Sequence, residues 1–178
     1  MLKYFINYSK ESFLKTLAIS AVCLFSYFVA WLVVIFTGDA DFALRLPFIS
    51  PWIHSDLSHF LINIIPLFVL MLSEKNRFKI SCLLIIPILI EVAFLPLIFF
   101  GTATVIGLSK FIFFLFARFM LTRENNKVIH QSVFVFIFTL ELLQIGSGDL
   151  ISHEGHIFGS ILGIISIYAE KKGLLKRC

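Results

Sequence analysis

TLAISAVCLFSYFVAWLVVIFT, residues 16–37, runs for 22 residues without a charged side chain. A helix of that length reaches about 33 Å, enough to cross a hydrocarbon core of roughly 30 Å. It is too long for the core of a signal peptide and has no convincing small-residue cleavage site, so it reads as a retained membrane helix. The rest of the chain has the same texture. Its 178 residues are 59% hydrophobic and include 22 phenylalanines. Mean hydropathy is +0.97. Soluble domains sit near roughly 45–50% apolar. The composition therefore predicts an all-α, polytopic membrane protein, and residues 1–178 leave no polar stretch long enough for a second, soluble domain. The three cysteines, Cys23, Cys82 and Cys178, are scattered and supply no paired metal ligands.

Further apolar runs predict five more helices, giving six in all, at 16–37, 58–73, 79–100, 105–121, 128–144 and 154–169. Polar joints at 73–79, 122–127 and 146–151 separate most of them. The stretch 38–57 mixes Arg45, Pro47, Pro51, Trp52 and three aspartates, and reads as an interfacial, partly embedded connection. Basic residues set the orientation. Lys3, Lys10, Lys15, Lys75, Arg77, Lys79, Arg118, Arg123, Lys127, Lys171, Lys172, Lys176 and Arg177 all fall on one side. That side is cytoplasmic by the positive-inside rule, so both termini are expected inside. Arg45 and Lys110 are the exceptions. Insertion accounts for the net charge of +4, and nucleic-acid binding is not needed to explain it.

Heights along the helices bring the polar residues together. At 1.5 Å per residue, Ser109 stands about 21 Å above Arg123, and His156 about 22 Å above Lys171. Asn63 and His59 stand about 18 and 24 Å above Lys75. Glu91 and Glu141 fall at a similar level, about 18 Å above Lys79 and about 21 Å above Lys127. Polar groups at such depth face the bundle interior or a water-filled cavity. A common depth on separate helices predicts one shared cavity open to the outside. Gly159 and Gly163 after His156 allow close backbone approach to a neighbouring helix. Such an approach brings an imidazole within reach of a serine hydroxyl, which is a weak nucleophile until a base takes its proton. His59 and Asn63, four residues apart on one face, are then candidate donors to an oxyanion.

Other readings of these residues are weaker. His153-Glu-Gly-His156 suggests a zinc-protease motif, but the spacing is i,i+3, not the i,i+4 that sets two ligands on one helix face. A metal set drawn from His54, His59, His153 and His156 is not favoured, so neither metal nor cofactor is expected. His153 reads as a residue at the water interface, and Phe111, Phe113, Phe114 and Phe116 as lipid-facing filler. Glu91 and Glu141 suggest an ion path, but no broken-helix pair or internal repeat supports a transporter.

The ordered motifs resemble the rhomboid intramembrane serine proteases. That family has a six-helix core, and the resemblance spans about residues 16–170. Its helix 2 carries a histidine with asparagine four residues on, here His59 and Asn63. Its helix 4 begins with GxSG, here Gly107-Leu-Ser109-Lys110. Its helix 6 carries HxxGxxxG after a small residue, here Gly155, His156, Gly159 and Gly163. The resemblance implies Ser109 as nucleophile and His156 as general base, a dyad. It implies His59 and Asn63 as oxyanion donors beside the Ser109 amide. Substrates would be transmembrane helices of other proteins, cut near the external face, and the other partner is membrane lipid. The short tails point to a prokaryotic cell membrane. Two departures stand out: Leu44-Arg45 where Trp-Arg is usual, and Lys110 where a glycine follows the serine. The second leaves open an inactive rhomboid-like protein that binds transmembrane clients. The same heights suggest that Lys110 pairs with Glu91 or Glu141.

Overall fold

The computed structural model describes residues 2–38, 50–52, 57–73, 79–100, 108–122, 126–145 and 153–174. Among the described residues there are six α-helices and no strand: α1 Leu2–Thr37, α2 Leu57–Ser73, α3 Ile80–Phe100, α4 Ser109–Thr122, α5 Lys127–Leu143 and α6 His153–Lys171. A 3-10 turn, Ser50–Trp52, lies between α1 and α2. Within α1, Lys10–Thr37 is long and apolar enough to cross a membrane, while Leu57–Met71 and Ser81–Ala93 are shorter apolar helices. The chain divides after Leu108 into two compact units.

The first unit packs α1 against α2 and α3. The seam on α1 is Ser12, Thr16, Ile19, Cys23, Ser26 and Ala30, all buried and spaced alternately by four and three residues. That spacing is one helix face, and its small members let the neighbours come close. Leu17, Leu24, Phe28, Trp31 and Ile35 fall outside this seam and are exposed, a surface suited to lipid. Thr16 Oγ1 on the seam donates to the Ser12 carbonyl at 2.9 Å, and the half-buried Ser20 Oγ beside it donates to that of Thr16 at 3.0 Å. Ser12 Oγ reaches across to the Met71 carbonyl of α2 at 3.5 Å. Leu67 of α2 and Leu83 of α3 are fully buried, and Trp52 of the 3-10 turn is buried with them.

The second unit holds α4, α5 and α6. Paired residues run in step along α4 and α6: Phe113 with His156, Gly163 with Phe114, and Arg118 with Glu170. The two helices are therefore parallel. α5 runs antiparallel to α4, with Phe119 against His130 and Phe116 against Phe134.

All six expected helices are present, with three corrections. The first begins at Leu2 and not at residue 16, because the helix continues below the apolar run through an Lys15–Glu11 ion pair at 2.8 Å. α4 begins at Ser109; residues 105–107 of the expected span lie outside the described residues, as does most of 38–57. The phenylalanines of α4 are core and not lipid-facing filler. Phe111 and Phe114 are buried and stacked, with ring centroids 6.0 Å apart, while Phe113 and Phe116 are half-buried and meet edge to face.

Candidate active site

Two glycines of α6 set the geometry. A side chain at Gly159 would overlap the backbone carbonyl of Lys110, and one at Gly163 would lie 2.6 Å from the Phe114 carbonyl oxygen. The α4 and α6 backbones therefore touch, as closely as small residues permit. The contact at Gly159 is one residue from Ser109 on α4 and three residues from His156 on α6. Ser109 is half-buried and is the first residue of α4. Amide groups in the first turn of a helix have no partner within it, so this end of α4 presents backbone donors beside the serine hydroxyl.

His156 is buried, with 9% of its surface exposed. Its ring lies flat on Phe113, centroids 4.1 Å apart and planes 7° from parallel. Phe113 stands four residues after Ser109, on the same face of α4. The imidazole thus rests against the face of α4 that carries the serine. Among the described residues Ser109 and His156 are not hydrogen-bonded to each other; in serine hydrolase sites that bond commonly tightens only with substrate in place. The hydrogen bond His156 does make joins its Nδ1 to Glu141 Oε2 of α5 at 2.8 Å. Its other ring nitrogen, Nε2, is the one left to act on a hydroxyl.

His153 requires a correction. It is the first residue of α6, but it is 4% exposed and does not sit at a water interface. Its Nδ1 lies 2.7 Å from the same Glu141 oxygen. There it meets the half-buried carboxylate from α5, which accepts the bond. Glu141, His153 and His156 place three potential metal-ligating atoms within 4.8 Å of one another. Sequence spacing missed this cluster because its third member comes from a different helix.

The other expected residues are placed as follows. Gly155 is buried in the first turn of α6, immediately before His156. Gly107 lies outside the described residues. Lys110 is 2% exposed, deeply buried for a lysine. On α2, in the other unit, His59 is half-buried and Asn63 is 3% exposed. Asn63 Nδ2 donates to the His59 carbonyl at 2.8 Å, which leaves its amide one further N–H. Glu91 of α3 is buried.

Arg118 was expected as a cytoplasmic anchor and proves to be a structural clasp. Its guanidinium donates to Ser166 Oγ and to Glu170 Oε1, each at 2.7 Å, pinning α4 to α6 about one turn beyond the Phe114–Gly163 contact and about two beyond the Lys110–Gly159 contact. A forked donor group suits two acceptors on one neighbouring helix.

Comparison with known proteins fits this geometry. A family model described as Rhomboid domain matches residues 43–172. No curated protein and no solved structure matches the chain. The matched segment takes in α2 to α6, including the paired α4 and α6 that carry Ser109 and His156. Rhomboids are integral membrane proteins, in general serine proteases that act within the membrane, with inactive homologues among them. The match covers well over half of the sequence, and the chain belongs to the rhomboid family.

Proposed function

We propose that the chain is a multi-pass intramembrane serine endopeptidase that cuts transmembrane segments of other membrane proteins near the external face. In this reading residues 1–178 form one membrane domain with both termini cytoplasmic. Ser109 is the nucleophile and His156 the general base. The observation that carries the reading is the flat seat of His156 on Phe113, one turn along α4 from Ser109 on the same face.

The chemistry follows from the groups present. Ser109 Oγ attacks the scissile carbonyl while His156 Nε2 takes its proton, and the carbonyl electron pair moves onto oxygen. Backbone N–H groups at the start of α4 stabilise that oxyanion, because partial positive charge gathers at a helix N-terminus. By family resemblance alone, His59 and Asn63 add side-chain donors. His156 then passes its proton to the leaving amine, and water, activated by the same base, releases the acyl group. No metal or cofactor enters. A substrate helix must unwind to present its carbonyl, so small or helix-breaking residues are favoured at the cleavage site.

The test is cleavage of a transmembrane substrate by the purified protein in lipid, beside Ser109→Ala and His156→Ala. Cleavage by the wild type that is lost in both variants is the expected result. Lys110, buried where the family has glycine, favours a second reading: a rhomboid scaffold that binds transmembrane clients without cutting them. Cleavage by Lys110→Gly but not by wild type would select that reading.

A further inference from the structure

The resemblance implies a bare dyad, yet the base has an acidic partner. Glu141 Oε2 lies 2.8 Å from Nδ1 of His156, and the carboxylate's side chain is 15% exposed. It comes from the last turn of α5, so its position relative to α6 is fixed by helix packing and not by a loop. We propose that Glu141 is a positioning residue for the reaction described above: it accepts the Nδ1 proton of His156, so that Nε2 is the bare nitrogen presented to Ser109, and the site works as Ser109–His156–Glu141. This inference rests on the protease reading and extends it.

The physical argument has three parts. A neutral imidazole carries one proton, and the partner of one nitrogen decides which tautomer exists. A carboxylate can only accept, so a bond to Nδ1 places the proton there and leaves the Nε2 lone pair outward. The Phe113 ring lies along one face of the imidazole, so in-plane bonding to Glu141 and stacking on Phe113 together fix both tilt and rotation. When Ser109 Oγ bonds to the scissile carbon, its proton moves to Nε2. The imidazolium so formed keeps its Nδ1 proton facing Glu141, whose negative charge stabilises it. The Nε2 proton then goes to the amine nitrogen as the C–N bond breaks, and the neutral Nδ1–H tautomer is restored.

His153 shares the same carboxylate oxygen, 2.7 Å from its own Nδ1. Two donors on one oxygen hold the carboxylate as firmly as it holds them. The separations also argue against a shared zinc ion. Ligands about 2.0–2.1 Å from a tetrahedral zinc lie about 3.3 Å apart, while these pairs stand at hydrogen-bond length.

The experiment uses the full chain in lipid bicelles and two readouts. Nitrogen-15 NMR of labelled histidine, with His156 identified by the signals lost in His156→Ala, reports the tautomer without need of substrate. The rate at which a fluorophosphonate labels Ser109 reports nucleophile activation. The expected wild-type result is protonated Nδ1 and bare Nε2 at His156. Glu141→Gln is expected to lose that tautomer preference and to slow labelling by about 10²–10⁴-fold. Glu141→Asp, which keeps the carboxylate, recovers at least roughly tenfold of that loss. Thr139→Ala, exposed on the same helix and hydrogen-bonded within it, controls for damage to α5. Protonated Nε2 in the wild type, unchanged labelling in Glu141→Gln, or labelling that a chelator abolishes would each overturn the proposal. A wild type that shows protonated Nδ1 but never labels overturns the protease reading, and with it the catalytic use of Glu141.

Discussion

Gly163→Ala offers a graded test of the α4–α6 contact. The added methyl would lie 2.6 Å from the Phe114 carbonyl oxygen and 3.0 Å from Ala117 Cβ, where ordinary contact begins near 3.4 Å. Relieving the shorter contact needs a local separation of about 0.8 Å, and packed helices do not yield that freely. Overpacking of this kind costs about 1–3 kcal/mol. Against it stands the gain of about 0.5–1 kcal/mol that alanine brings to a helix interior over glycine. The net is a loss of about 1 kcal/mol, which at this chain length lowers Tm by about 2–4 °C. Gly159→Ala meets the Lys110 carbonyl still more closely, and its loss is expected to be the larger of the two. Thermal melting in lipid or mild detergent, followed by circular dichroism, measures both. Because Ala117 supplies part of the clash, Ala117→Gly in the Gly163→Ala background should recover part of the loss, a coupling between neighbours. A rise in Tm for Gly163→Ala, as alanine gives at an open helical site, would refute the close approach and the placement of His156 that depends on it.

Two further predictions concern the same helix pair. Glu170→Ala removes one acceptor from a guanidinium whose side chain is 3% exposed, and is expected to destabilise by about 3 kcal/mol, because a buried cation is left under-compensated; the same melting experiment checks it, and a change below about 0.5 kcal/mol would show the clasp to be idle. Phe113→Leu keeps an apolar side chain but removes the flat surface under His156. Aromatic stacking is worth about 1 kcal/mol, so fluorophosphonate labelling of Ser109 should slow roughly fivefold with little change in Tm.

Hydropathy finds where a chain prefers lipid, and that made most of the fold legible. The expected edges of α2, α3, α5 and α6 fall within two residues of those observed. It failed at α1 for the same reason: Leu2 to Lys15 is helical but charged, and apolarity marks the membrane and not the helix. Nor can apolarity say whether a phenylalanine faces lipid or a neighbouring helix. In α4 it meets rings of α5 and α6 as well as its own helix. That the helices carrying Ser109 and His156 meet was legible from the motif order, and their close approach from the four-residue spacing of the glycines. Height arithmetic even set Glu141 at the level of the serine and histidine. It could not supply the azimuth of α5, which turns Glu141 toward His153 and His156. Arg118 was hidden by the opposite effect: the positive-inside rule counts basic residues near a helix end without asking whether they bond inward.

Lys110 is the position where the sequence departs most from its family, and the fold bears on what that departure costs. A glycine after the serine would suggest that α4 must be bare at its contact with α6. In this chain the close contact is made by the backbone carbonyl of residue 110, and the missing side chain belongs to Gly159 on the opposite helix. One glycine of a facing pair is enough to let two backbones meet when the other residue turns its Cβ aside. A lysine side chain can then be accommodated without parting the helices, although its ammonium is buried and has to be stabilised there. The steric objection to activity is therefore weaker than the motif alone implies.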